Sequence, residues 1–332
     1  MYDENKAKSG LASLLRERRI ILMVGAGCSI PLYPSWDGLI EELRRKFAPT
    51  FSRGDSESIL IFADRIKMQA LSGTLGEQDY CNFLRDRFQL NNQGQQRCEI
   101  HDRLVRMGYA GIVTTNYESC LEAAATALLG RVFSPLDLSD QDMFDVLRFL
   151  RSLSNRDGKP DFVLHLHGHW KDPGQIVLSR GDFSKNYGIR MPTDSSLQSG
   201  FQGSIPVEGA RHYKVLWSLA TMHPILFVGF GGRDEYFLET LRHVQDAFKS
   251  GTQGIHYILT HYTSEDDRET STREWQSKGI SPVFYHAPPA NGDAGALDHR
   301  GLLALVEDVG RLSGVDFGAE TVVRINESMT SL

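Results

Sequence analysis

Six short apolar runs separated by helical patterns constrain this chain more than any other feature. They lie at residues 19–24 (RIILMV), 111–115 (GIVTT), 162–166 (FVLHL), 225–228 (ILFV), 255–259 (IHYIL) and 280–285 (ISPVFY). Runs this short that are largely continuous, rather than alternating with polar residues, suit strands buried on both faces. Residues 11–18 read as the end of a short helix. Helical periodicity follows at 36–47, 118–129, 211–222, 234–248 and 297–312. Strands alternating with helices predict an α/β fold, a Rossmann-like parallel sheet with helices on both faces.

Some stretches interrupt that alternation. Residues 52–108 carry helical patterns and no strand, which predicts a smaller helical insertion lobe between the first two strands. Further helical or loop insertions are expected at about 135–160 and 188–210; the latter is rich in Gly, Ser and Pro, as functional loops often are. With 332 residues and 41% hydrophobic content, the chain can bury a large core. We expect one catalytic domain over 1–312 and a weakly patterned tail over 313–332.

Composition excludes several classes of function. The formal net charge is -6, and the basic clusters at 16–19 and 44–46 sit on helical patterns as solvated faces. Direct nucleic-acid binding is therefore not expected. No apolar run reaches the length of a membrane span, and residues 1–10 are polar, unlike a secretory signal. A cytoplasmic protein is expected. Cys28, Cys81, Cys98 and Cys120 form no CxxC pair, so we expect reduced thiols and no structural zinc.

Four segments carry chemistry. Gly25-Ala26-Gly27-Cys28-Ser29 follows the first strand, where glycines allow a tight turn and backbone amides can meet a phosphate. Ile30 stands where a dehydrogenase fingerprint has its third glycine, and the expected acidic strand end is missing. The segment is a nucleotide loop of another kind, or a turn. Thr114-Thr115-Asn116-Tyr117 ends the second run; Asn116 is either a helix cap or an amide presented to a ligand hydroxyl. His165, His167 and His169 alternate, which on a continuous strand would put them on one face as a metal site. Gly168 argues instead for a turn and for one general base among structural neighbours. Gly229-Phe230-Gly231-Gly232-Arg233-Asp234 is a second glycine-rich strand-to-helix turn, with Asp234 either capping the helix or holding a ribose. Two such loops fit a dinucleotide lying across the strand ends.

Taken in order, Gly25-Ala26-Gly27-Cys28-Ser29, Pro34-Ser35-Trp36, Thr114-Thr115-Asn116-Tyr117, Leu166-His167-Gly168 and Gly229-Phe230-Gly231 with Asp234 resemble the sirtuin-like (silent information regulator-like) family, in its bacterial NAD-hydrolysing antiphage-defence branch. The resemblance runs from about residue 20 to about residue 285. It implies a phosphate-binding loop at Gly25, Ala26, Gly27 and Ser29. It implies that Asn116 holds the nicotinamide ribose and a water, that His167 is catalytic, and that Gly229, Phe230 and Asp234 line the adenosine half. Thr115 joins the cofactor-binding set. Asp37 is either an acid complementing a helix N-terminus or a residue reaching the nicotinamide side. Deacylating sirtuins carry Pro-Asp-Phe-Arg where this chain has Pro34-Ser35-Trp36-Asp37, and Thr-Gln-Asn where it has Thr114-Thr115-Asn116. They also carry a four-cysteine zinc module, for which there is no counterpart here.

The activity implied is NAD+ glycohydrolase: NAD as substrate, no metal, and nicotinamide and ADP-ribose as products. Asn116 would orient ribose and water, and His167 would accept a proton, its ordinary pKa near 6.5 suiting that role. The resemblance implies a triggered effector of antiviral defence acting by NAD depletion, as a homo-oligomer or with a trigger or ATPase protein. The alternatives are a non-catalytic NAD or ADP-ribose sensor, a metal-dependent hydrolase built on the three histidines, and a protein deacylase or ADP-ribosyltransferase.

Overall fold

The structure is a computed structural model that describes residues 2–30, 32–73, 76–89, 97–155, 161–188, 210–231, 235–248, 255–290 and 297–317. Seven parallel strands form one sheet in the order β3-β4-β2-β1-β5-β6-β7. They are β1 Ile21–Val24, β2 Gly111–Thr114, β3 Ser134–Asp137, β4 Phe162–His165, β5 Ile225–Val228, β6 His256–Tyr262 and β7 Ile280–His286. All six apolar runs are strands of this sheet, so the α/β Rossmann-like architecture stands as expected.

The apolar runs form buried strands because each face of the sheet has its own core. Ile21, Met23, Val113, Leu164, Ile225 and Phe227 point to one side, where Val146, Phe149, Leu216, Phe237 and Val244 cover them. Leu22, Val24, Ile112, Val163, Leu226 and Val228 point to the other, against Leu11, Leu15, Leu121, Leu305 and Val309. Helices α1 Glu4–Arg16, α5 Glu99–Val105, α6 Cys120–Leu129 and α12 Arg300–Leu312 supply the second layer. Helices α7 Met143–Ser152, α8 Arg180–Tyr187, α9 Arg211–Met222, α10 Glu235–Ala247 and α11 Glu265–Ser277 supply the first. A period-2 strand buried on both sides needs apolar residues at both parities, and that is why these runs are continuous.

β3 was not expected. It falls inside a stretch read as helix or loop because its sequence, Ser134-Pro135-Leu136-Asp137, has no apolar run. It is an edge strand bonded only to β4, a place where proline is tolerated. Helices α8 and α11 were also missed. The first is announced by a capping box, Ser179 with Asp182, and the second by the Ser264 cap. Residues 156–160 and 189–209, within the expected insertions, and 318–332 of the expected tail lie outside the described residues.

Over 52–108 the described elements are helical. Helices α3 Ile59–Leu71 and α4 Gly76–Phe88 join α2 Trp36–Phe47 around Leu39, Leu43, Phe62, Ile66, Tyr80 and Leu84, a third core. Helix α5 instead packs against α6 and α12. The small lobe reaches the sheet through Tyr117, Cys120, Ile176 and Leu178, beside the carboxyl ends of β2 and β4.

The strand register levels those ends. Val24 of β1 is opposite Thr114 of β2 and Val228 of β5, and Thr114 is opposite His165 of β4. The residues that follow these strands therefore emerge along one edge. There the first and fourth segments touch: the Gly25 amide donates to the Val228 carbonyl at 2.9 Å and the Gly27 amide to the Gly229 carbonyl at 3.0 Å. Gly229 has φ +71°, and a Cβ there would lie 2.7 Å from both the amide nitrogen and Sγ of Cys28. A left-handed residue without room for a methyl group must be glycine. Gly229→Ala should therefore destabilise the fold by about 2 kcal/mol or more, read as a lower urea midpoint. An unchanged midpoint would mean that the two loops are not packed this closely.

Candidate active site

One cavity of about 540 Å3 opens along this edge, a size within the roughly 300–1,000 Å3 usual for small-molecule sites. Gly25, Ala26, Gly27, Ser29, Asp37, Thr115, Asn116, His167, Gly229 and Phe230 all line it. The fold thus brings together the residues of the implied NAD site, except Asp234, which lies outside the described residues; His165 and His169 are not in the lining. The cavity straddles β1, whose neighbours β2 and β5 lead to opposite halves of the sheet. That is the topological switch point at which open α/β sheets take ligands.

Asn116 is the most constrained side chain. Its backbone amide donates to Thr114 Oγ1 at 3.0 Å, and Thr114 Oγ1 donates to the Val24 carbonyl at 2.8 Å. Its Nδ2 faces the Gly25 carbonyl, Ser29 Oγ and Glu118 Oε1 at 3.3, 3.2 and 3.1 Å. A carbonyl and a carboxylate accept but do not donate, so they orient the amide with its nitrogen toward them. Oδ1 is left without a hydrogen-bond partner among the described residues although it is buried. A buried acceptor without a donor calls for an explanation. Asn116 is not the helix cap: α6 begins four residues later, with Ser119 before it.

Glu118 is the residue that sequence reasoning missed. It is buried, lines the cavity and accepts a short hydrogen bond from Ser29 Oγ. Burial raises its pKa, against the lowering effect of Ser29. His101 extends the network from α5. Its Nδ1 accepts from the Cys98 amide at 3.0 Å, so Nε2 carries the proton that faces Ser29 Oγ at 3.3 Å. The spacing of Glu118 two residues after Asn116 was the available signal, concealed by reading that stretch as the start of a helix.

The three histidines do not share a face. Gly168 has φ +84°, and a Cβ there would lie 2.6 Å from the Gln175 carbonyl oxygen. The turn it makes sends His167 toward Tyr187, with Nε2 3.0 Å from the hydroxyl and the ring edge-on to Phe183. His165 and His169 stay together on the other side, ring centroids 4.6 Å apart. A metal site built on all three is therefore not assembled. Two other groups bring ligand atoms within 4.8 Å of one another: His101, Glu118 and Cys120, and Glu122, His165 and His169. Hydrogen bonds within the protein already engage side chains of both. The ordinary imidazole pKa expected of His167 is also corrected: burial, with His212 nearby, pushes it down to about 3. His167 is neutral at physiological pH, the form that can accept a proton.

Aromatic rings line two parts of the cavity. Tyr33 stacks on Phe88, which meets Tyr117 edge-on, in the small-lobe part. In the other part Tyr285 Oη and His299 Nδ1 are 2.8 Å apart, with His261 edge-on to His299. Asp37 lies in the first turn of α2, where an acid complements the helix N-terminus, and it also lines the cavity.

Comparison with known proteins adds the lineage. A family model described as a SIR2-like domain matches residues 110–283, more than half of the chain. The chain belongs to the SIR2-like family. It is also similar to the Defense-associated sirtuin 2 of Bacillus subtilis, 24% identical over 219 residues, which are 65% of this chain and 18% of that protein. The chain thus corresponds to a small part of that relative's length. Among the described residues no helix is long and apolar enough to cross a membrane.

Buried neutral imidazoles make stability depend on pH. Burial pushes His101, His212 and His256 down to about 4, His167 to about 3 and His169 to about 2. A folded pKa below the unfolded value near 6.5 stabilises above that value and loses the contribution as pH falls through it. His165 and Glu118, both raised, oppose this but are outnumbered between pH 6.5 and 5. Unfolding free energy from urea titrations should drop by a few kcal/mol between pH 7.5 and 5. A flat profile would mean that these rings are hydrated.

Proposed function

We propose that this chain is an NAD+ glycohydrolase that cleaves the nicotinamide–ribose bond and yields nicotinamide and ADP-ribose. The supporting observation is Asn116: its two N–H groups face three acceptors, and its oxygen is a buried acceptor without a donor among the described residues, in the wall of a cavity of about 540 Å3. A ribose hydroxyl or a bound water is the donor that oxygen lacks. At Gly25 a Cβ would meet the Gly229 carbonyl oxygen at 2.6 Å, so the two glycine loops pack backbone against backbone with no room for a side chain between them.

NAD supplies a positively charged nicotinamide, already a good leaving group. The protein's work is to hold the ribose, exclude bulk water and deliver one water molecule. Asn116 Oδ1 holds the ribose or the water, and Ser29 with Glu118 keeps the amide turned. His167 accepts the proton lost as a C–O bond to the ribose forms, so that NAD+ and water give nicotinamide, ADP-ribose and a proton. Gly25, Ala26, Gly27, Ser29, Thr115, Gly229 and Phe230 would bind the dinucleotide, with Asp37 near the nicotinamide end. No metal enters this scheme. The Bacillus relative is named as defence-associated, which supports a defence role for this chain; NAD depletion is the antiviral effector step we propose for it. A trigger or ATPase protein, or self-association, would then control it.

One observation favours a second reading. A pKa near 3 for His167 makes it a weak base, as suits a subunit that binds NAD or ADP-ribose and signals without cleavage. Release of nicotinamide from NAD by purified protein, with NAD binding measured alongside, separates the two. We expect release that survives EDTA and falls by about 100- to 10,000-fold in Asn116→Ala and in His167→Ala, with folding retained. Wild-type rates in both variants would remove these residues from the mechanism. NAD binding without release, by purified protein and by protein captured with whatever copurifies with it, would select the sensor.

A further inference from the structure

Behind Asn116, away from the cavity, lies a buried polar cluster that the proposed reaction does not use. His165, at the end of β4, is fully buried, and Glu122 of α6 is 5% exposed. His165 Nδ1 is 2.8 Å from the backbone carbonyl oxygen of Asn116, and Nε2 is 2.6 Å from Glu122 Oε1. A carbonyl oxygen cannot donate, so Nδ1 carries a proton and donates it. His169 packs edge-on against His165, and its Nε2 is 2.8 Å from Ser119 Oγ, which also accepts from Trp170 Nε1 at 2.9 Å. Both backbone polar groups of Asn116 are therefore held, the amide by Thr114 Oγ1 and the carbonyl by His165.

The cluster has two candidate occupants, a proton or a metal ion, and distance decides between them. Ligands at about 2.0–2.1 Å in a tetrahedral zinc site stand roughly 3.3 Å apart. The 2.6 Å separation of His165 Nε2 and Glu122 Oε1 is instead that of a charge-assisted hydrogen bond. Burial opposes charge on His165, but the neighbouring Glu122 raises its pKa above the ordinary value, and one proton lies between Nε2 and Oε1. Neither residue lines the cavity.

We propose that His165 and Glu122 are positioning residues for the cleavage: the pair clamps the Asn116 backbone from behind, so that the side-chain amide meets its ligand in one orientation. The proposal rests on the hydrolase reading of the cavity. Misplacement of a catalytic group by about 1 Å can lower turnover about 100-fold. Because the pair touches no part of the cavity, its loss should fall on kcat and leave KM for NAD unchanged.

The test compares wild type, Glu122→Gln, Glu122→Ala and His165→Ala for folding, NAD affinity, kcat and KM, with imidazole N–H resonances read on histidine-labelled protein. Glu122→Gln keeps an acceptor for Nε2–H and should retain most of kcat. Glu122→Ala and His165→Ala should lose about 100-fold in kcat at wild-type NAD affinity. The wild type should show both His165 ring protons shielded from solvent, and the Nε2 proton should disappear from the spectrum in Glu122→Ala. A folded Glu122→Ala or His165→Ala with wild-type kcat, a loss that tracks NAD affinity or folded fraction, or zinc bound stoichiometrically in the wild type overturns the proposal. If Glu122→Ala and His165→Ala do not fold, Glu122→Gln and the proton spectrum decide, with exchange-broadened ring protons in wild type as the negative result. A wild type that binds no NAD or releases no nicotinamide removes the hydrolase reading, whereas the ring-proton result tests the clamp by itself.

Discussion

Backbone hydrogen bonds between β1 and its two parallel neighbours hold Val24 level with Thr114 on one side and Val228 on the other. The site follows from that alignment. A shift of one residue would reverse the alternation by which Ile21 and Met23 face one core while Leu22 and Val24 face the other, and would bury the wrong parity everywhere. With the register set, Gly25, Thr115, Leu166 and Gly229 are the first residues beyond the sheet on four adjacent strands. Their backbone groups interlock: Thr115 donates to the Val24 carbonyl, Leu166 to the Thr114 carbonyl and Gly27 to the Gly229 carbonyl. A sheet buried on both faces thereby fixes one edge at which polar residues can gather.

What gathers there is costly unless it is satisfied, and the protein satisfies nearly all of it internally. Asn116, Ser29, Glu118 and His101 form one hydrogen-bonded chain, and behind it His165 bonds Glu122 while His169 bonds Ser119, the two imidazoles packed edge to face. Networks of this kind are worth more than their separate bonds, and an unpaired member is penalised by the low dielectric around it. The exceptions then carry information. Asn116 Oδ1 and Glu122 Oε2 are buried acceptors without donors among the described residues. The first belongs to a cavity wall; the second lies in the cluster behind it.

Much of this was legible in the chain. The helices 36–47 and 211–222 fall where periodicity put them, because their apolar stripes face a core and Ser35 caps the first. Gly25, Asn116, His167 and Gly229 were legible because strand-end glycines and polar residues are local signals. β3 was not, since an edge strand needs only one bonded neighbour and no apolar run. Glu118 was not, because its importance lies in two partners, Ser29 from the first loop and Asn116 from the second. Nor was the depressed pKa of His167, which arises from burial against Phe183 and Tyr187.

By itself the sequence determined six of the seven strands, their apolar character and the chemical groups standing at their ends. Those are consequences of side-chain size, polarity and backbone freedom read over a few residues. Only the tertiary structure decided which of those groups meet. Gly168 turns His167 one way and leaves His165 and His169 on the other side, and the level register carries Asn116 to Ser29, which lies 87 positions away in the chain. Proximity across that separation comes from closing a sheet around its core, and no local pattern encodes it.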